Sequence, residues 1–223
     1  MIRKAAFFAL ALTAGFAQAA PIPAELAFSK DANIAYSYQL PAKSTDSVFV
    51  GFDFSFTGTI QTNDFLGLYF GKAGSMGEAY KGPNFGFKAN CGTGANKCTN
   101  DVFGRTVGTD GTFVNGSDLK AGTTYKLFGH MYKTGGSEFY NAFDVWLNPT
   151  ASEMSSLTGA DITATGKSTL KSFDTIAFRT ANIDNGVTLY VNNLRVNEVP
   201  EPGSVALMGL ALAGLAAARR KRA

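Results

Sequence analysis

Residues 48–57 read Val-Phe-Val-Gly-Phe-Asp-Phe-Ser-Phe-Thr. Val48, Val50, Phe52, Phe54 and Phe56 fall on one side of an extended chain, and Gly51, Asp53, Ser55 and Thr57 on the other. A period of two built from aromatic and β-branched residues requires a strand with one buried face. Such a face is covered only when a second layer packs on it, so the run already demands a layered β structure. Further strand candidates are residues 64–71, 84–88, 102–107, 123–133, 142–147, 173–179 and 187–196, with an early one at 33–40. The segment 64–71 is apolar on both faces. Between the candidates lie turn formers such as Asp110-Gly111, Asn115-Gly116, Gly135-Gly136 and Asn185-Gly186. No internal segment carries a long helical period. The reading is all-β, an antiparallel β-sandwich, and the 19 phenylalanines suit the broad area between two packed sheets.

The two ends follow other rules. The chain opens Met-Ile-Arg-Lys, runs apolar through Ala17, and reaches Ala17-Gln18-Ala19-Ala20-Pro21. A basic start, a short apolar core and a small-x-small site describe a secretory signal peptide cut by signal peptidase between Ala19 and Ala20. The apolar run is shorter than the roughly 20 residues needed to span a bilayer. At the far end, Val199-Pro200-Glu201-Pro202 precedes an apolar run over residues 205–218 and then Arg219-Arg220-Lys221-Arg222. Prolines at 200 and 202 exclude a helix or central strand there, so the folded domain ends before them. The apolar run is rich in helix formers but would cover only about 21 Å as a helix, against about 30 Å of hydrocarbon. It suits transient membrane engagement, with the four cations held at the cytoplasmic face.

These C-terminal residues resemble the PEP-CTERM sorting signal of Gram-negative bacteria: Pro-Glu-Pro, an apolar helix and a basic tail, in that order. The resemblance implies recognition and cleavage near Pro200-Glu201-Pro202 by exosortase, a membrane protease. It further implies passage through the inner membrane to the cell surface or extracellular matrix, in association with exopolysaccharide or biofilm. The expected organisation is a signal peptide over 1–19, a sandwich domain over 20–198 and a sorting signal over 199–223 with its membrane helix at 205–218.

Without its ends the chain is long enough for one domain with a real core. Its formal charge of +3 includes Arg3, Lys4 and the four C-terminal cations, and becomes −3 when these six are removed. The basic balance therefore belongs to the addresses and gives no reason to expect a nucleic-acid partner. Cys91 and Cys98 are the only cysteines, with a loop of turn formers between them. In an exported chain, an even count at close spacing reads as a disulfide.

The order of the later strands carries a second resemblance. Residues 125–132, Phe143-Asp144-Val145-Trp146-Leu147-Asn148-Pro149, Phe173-Asp174-Thr175-Ile176-Ala177-Phe178-Arg179 and Leu194-Arg195-Val196 look like the concanavalin A-like (laminin G-like) jelly rolls of other PEP-CTERM proteins. The jelly roll is the first expectation for the fold and another Greek-key sandwich the second.

The middle offers little catalytic chemistry. Retaining glycosidases need two carboxyls about 5 Å apart. The strand at 142–147 carries only Asp144 and that at 173–179 only Asp174. The single histidine, His130, reads as structural. The expectation is a non-catalytic surface or matrix protein; the alternative is a lectin-like module binding secreted polysaccharide through Tyr132, Tyr140 and Trp146. No cofactor is expected. Asp110, Asn115 and Asp118 are a local set of hard ligands suited to calcium, but Asp-Gly and Asn-Gly at hairpin bends read first as turn formers.

Overall fold

The computed structural model describes residues 22–91, 98–108 and 111–196. The expected signal peptide, the sorting signal with its apolar run and basic tail, and Asp110 lie outside the described residues.

Twelve strands follow in order: β1 (Glu25–Phe28), β2 (Ala32–Ser44), β3 (Val48–Thr57), β4 (Phe65–Gly71), β5 (Asn84–Lys88), β6 (Val102–Arg105), β7 (Thr112–Phe113), β8 (Tyr125–Tyr132), β9 (Ala142–Leu147), β10 (Ile162–Thr165), β11 (Phe173–Ala181) and β12 (Thr188–Val196). A short α-helix, α1 (Ala151–Ser156), separates β9 from β10, and a single 3-10 turn at Ala79–Lys81 lies between β4 and β5. The strands form two six-stranded sheets, β1-β12-β3-β8-β9-β10 and β2-β11-β4-β5-β6-β7. Every pairing is antiparallel. Each sheet interleaves early and late strands, with β12 between β1 and β3 and β11 between β2 and β4. The chain crosses between sheets at β1–β2, β2–β3, β3–β4, β7–β8, β10–β11 and β11–β12, the jelly-roll-like sandwich the sequence led us to expect.

β3 sits where the alternation puts it: Val48, Val50, Phe52, Phe54 and Phe56 are at most 2% exposed and form the floor of the core. Phe52 meets Phe178 edge-on at 5.2 Å and Phe85 at 5.4 Å, so rings from the two sheets interlock. Gly129 lies on the core side of β8, where an added Cβ would come within 2.8 Å of the Phe143 ring and 3.1 Å of the Phe85 ring. Its missing side chain is the space in which Phe85 and Phe143 meet, 5.2 Å apart. β4 is apolar on both faces for a physical reason. Leu66, Leu68 and Phe70 enter the main core, while Tyr69 is capped from outside by Met76, Ala79 and Tyr80 of the following loop.

The short elements β1, β7, β10 and α1 have no counterpart in the sequence reading. α1 is six residues long and too brief to show a period. It does carry a capping box: Thr150 Oγ1 accepts from Glu153 N at 3.2 Å, and Glu153 Oε2 accepts from Thr150 N at 2.7 Å. A disulfide joins Cys91 to Cys98.

Candidate functional site

The outer face of the β1-to-β10 sheet carries polar and aromatic side chains with open space beside them. On β3 the outward positions are Phe49, Gly51 and Asp53. Register places His130 of β8 opposite Phe49, Phe128 opposite Gly51 and Lys126 opposite Asp53. On the other side, β12 pairs Asn192 with Asp53 and Arg195 with Gly51, with an irregularity between them. Asn193 occupies that irregularity with φ 52°, and its Nδ2 donates to Asp53 Oδ2 at 2.6 Å. A bulge of this kind re-aims side chains, and here it turns Asn193 and Arg195 toward the glycine row.

The result is a cleft of about 190 Å³ over Gly51, bounded by Phe49, Asp53, Lys126, Phe128, Met154 and Arg195. Gly51 leaves the space open. A Cβ there would make ordinary contacts of 3.5 Å to Leu127 O and the Phe128 ring, so its absence is not forced by crowding. The cleft is smaller than the roughly 300–1,000 Å³ of sites that enclose a drug-sized ligand.

Beside the cleft runs a row of rings. Phe49 stacks on His130 at 4.3 Å, and His130 on Tyr132 at 4.4 Å. Both faces of the imidazole are thus covered. Burial holds the His130 pKa below its ordinary value, against the opposing pull of the Asp144 carboxylate paired with it across β9. The imidazole is therefore neutral at neutral pH. Burial, and then Asp144, push the Tyr132 phenol up. Asp144 Oδ1 is buried without a hydrogen-bond partner.

The three aromatics expected to contact a glycan divide. Tyr132 lies half-buried in this row. Tyr140 is fully buried; its hydroxyl meets Ser44 Oγ at 3.1 Å and its ring packs on Phe173. Trp146 is 1% exposed, with Nε1 donating to Thr158 O at 2.9 Å beneath the α1 connection. The three are candidate glycan contacts only if exposed, and Tyr140 and Trp146 are buried. Asp144 and Asp174 belong to different sheets, and Asp174 accepts from Ala73 N at 2.8 Å, which lowers its pKa. Asn115 and Asp118 are exposed on a turn closed by Asp118 N donating to Gly116 O at 2.9 Å. Among the described residues no three His, Cys, Asp or Glu side chains converge as a metal site.

The cleft residues escaped sequence reading. In the sequence Gly51 stands only as one member of the outward face of residues 48–57, and the β12 irregularity that brings Asn193 and Arg195 to it leaves no sequence mark.

β12 ends at Val196, so the Pro-Glu-Pro stretch begins directly beyond the last strand of the sandwich. Residues 198–222 match the model of the PEP-CTERM protein-sorting motif. The chain carries a PEP-CTERM sorting signal. The PEP-CTERM signal implies export and a cell-surface or extracellular destination in a Gram-negative bacterium, and processing by exosortase. No helix among the described residues is long and apolar enough to cross a membrane. No curated protein matches the chain in sequence. Among solved structures, the alginate lyase Aly36B is similar over 78% of this chain and 80% of its own, at 12% identity and a TM-score of 0.46. The alginate lyase AlgAT5 of polysaccharide lyase family 7 is similar over 70% and 62%, at 12% identity and 0.39. A PL-14 alginate lyase from Aplysia kurodai is similar over 69% and 70%, at 15% identity and 0.37. Likenesses this distant carry no argument about activity.

Proposed function

We propose that this PEP-CTERM chain is held briefly in the inner membrane, released by exosortase, and acts outside as a non-catalytic surface or matrix protein associated with exopolysaccharide. The observation that carries the reading is the sorting motif set immediately after the last strand, with a basic tail beyond its apolar run. Non-catalysis draws support from the separation of Asp144 and Asp174 onto two sheets and from the enclosed stacking of His130. The test is mass spectrometry of protein recovered from the matrix fraction. The reading expects an N-terminus at Ala20 and loss of the peptide containing Arg219, Arg220, Lys221 and Arg222. Recovery of that peptide on most molecules would make the tag a permanent anchor and defeat the reading.

A second reading, a polysaccharide-binding module, is favoured by one observation: the open cleft over Gly51, bounded by Asp53, Lys126 and Arg195 with apolar Phe128 and Met154. An apolar floor with a few polar groups is the usual chemistry of a small-ligand site. Because the backbone tolerates a Cβ at 51, Gly51→Leu is the substitution that places a side chain in the cleft. Glycan-array binding, with and without calcium, that disappears in Gly51→Leu supports the module. Binding unchanged by that substitution removes the cleft from the account.

A further inference from the structure

The sandwich has two ends of unlike charge, and the sorting motif leaves from one of them. Val196 pairs with Val50 and Val48 with Met131, so the end of β12 lies with the start of β3 and the end of β8. Phe173 pairs with Ser44 and Thr175 with Gly71, which adds the end of β2, the start of β11 and the end of β4. The chain segments at this end supply Lys43, Lys72, Lys81, Lys133, Lys167 and Lys171. Their acids are Asp46, Glu78, Glu138 and Asp174, of which Glu78 pairs with Lys81 and Glu138 with Lys171. Asp174 is occupied by Ala73 N. The opposite end carries Asp31, Asp64, Asp101, Asp118, Asp161 and Asp184, with Lys30, Lys88 and Lys120.

The basic end also presents an aromatic ring among cations. Lys171 Nζ lies 5.0 Å and Lys167 Nζ 5.6 Å from the half-buried Phe139 ring. Lys133 Nζ is fastened to Lys171 O at 2.9 Å and lies 5.0 Å from the Tyr140 ring, so the lysine loop is held in place. Lysines around a partly exposed ring combine an apolar contact with headgroup attraction, the pairing found at membrane interfaces.

Chain geometry then orients the domain. From Val196 to the start of the apolar run at Val205 the chain reaches about 30 Å at full extension. β12 and β8 are separated only by β3, about 10 Å across the sheet. While the apolar run is in the membrane, the end nearest the bilayer is the end bearing the lysines. We infer that, before processing, this basic end docks on anionic lipid headgroups at the outer face of the inner membrane and presents Pro200-Glu201-Pro202 to the protease. The inference rests on the exosortase reading and adds an orientation and a partner surface to it. The acidic end is turned away, since like charge repels it from the same lipid.

The experiment compares two charge reversals of equal size in the full chain, expressed in its host: Lys43→Glu, Lys167→Glu and Lys171→Glu at the basic end, against Lys30→Glu, Lys88→Glu and Lys120→Glu at the acidic end. Pulse-chase measures the half-time of tag removal. Protein recovered from the surface is then sedimented with vesicles of phosphatidylethanolamine containing phosphatidylglycerol, and with phosphatidylcholine alone. The inference expects slower tag removal and about tenfold or more weaker binding to the anionic vesicles for the first set only, restored by Lys→Arg at the same positions. Matching melting temperatures show that both sets fold. Equal effects of the two sets, or none from either, overturn it. Loss of matrix retention in the first set, with processing and vesicle binding unchanged, also overturns it and assigns the basic end to an anionic polysaccharide. If the wild type keeps its tag, the exosortase reading fails, and vesicle binding by the basic end still stands or falls by the sedimentation arm.

Discussion

The acidic and basic ends of the sandwich use charge in opposite ways. At the acidic end, carboxylates tie the backbone, Asp101 from inside the fold and Asp161 and Asp31 from its surface. Asp101 is fully buried and accepts from Asn90 N at 2.9 Å and Leu119 N at 3.3 Å. Asp161 accepts from Leu147 N at 2.7 Å, and Asp31 from Ile183 N at 2.8 Å. At the basic end, Lys43, Lys72, Lys167 and Lys171 stay exposed. The ties there include neutral groups, such as Tyr140 to Ser44 and Leu170 N to Ser168 Oγ at 3.2 Å, beside Asp174 on Ala73 N and Lys133 Nζ on Lys171 O. One end commits most of its carboxylates to backbone ties, and the other ties Asp174 and Lys133 while leaving Lys43, Lys72 and Lys167 exposed. A side chain fastened inside a loop cannot also meet a surface, so the two ends have different tasks.

The strongest test of that contrast is removal of one charge from the architectural end. Asp101→Ala leaves two backbone N–H groups without their acceptor in a buried corner, and is expected to cost about 3 kcal/mol in urea unfolding. Lys171→Ala at the other end loses one exposed ion pair and is expected to change stability by less than about 0.5 kcal/mol. Comparable losses for the two would break the contrast. Next in size is the Cys91–Cys98 bridge, which closes a short loop at the acidic end. Its replacement by serines is expected to lower stability by about 2 kcal/mol, read from the shift of the urea midpoint at constant slope. Tyr140→Phe, at the basic end, removes a single neutral hydrogen bond and is expected to cost about 1 kcal/mol by the same measurement.

What was legible in the sequence follows from the same physics. β3 was readable over its full length, Val48–Thr57, because one face is buried and the other half-exposed throughout. β5 and β9 were also placed at their observed bounds. β1, β7 and β10 have four residues or fewer, too short for an alternation to stand out from a loop. Trp146 and Tyr140 show the limit of reading aromatics. The same side chain serves a sugar platform or a packed layer, and the deciding neighbours, Thr158 and Ser44, are supplied by tertiary structure. The cleft over Gly51 depends on an irregularity in β12, and the charge polarity depends on which turns share an end. Both become visible only once register is known.

The smallest effect expected is a difference in the response of the two ends to acid. Burial raises the pKa of Asp64 above the ordinary aspartate range, partly offset by the hydrogen bond from Gln61 N to Oδ2 at 2.9 Å. Its Oδ1 has no partner, so a proton on that oxygen breaks no bond. The folded state therefore binds the proton more tightly than the unfolded chain, and the stabilising contribution is present at low pH and lost as pH rises through the raised value. Asp174, at the basic end, has its pKa held down by Ala73 N and then by Thr175 Oγ1, so its contribution is present at higher pH and lost as pH falls through the lowered value. Asparagine at 64 imitates the protonated acid, and Asp174→Asn removes the other titration. The melting-temperature gap between wild type and Asp64→Asn should move in favour of wild type as pH falls through the mildly acidic range. The gap between wild type and Asp174→Asn should move against wild type at still lower pH. If both gaps move in the same direction, the carboxylates of the two ends are not doing opposite work, and the contrast between an architectural end and an available end loses its electrostatic basis.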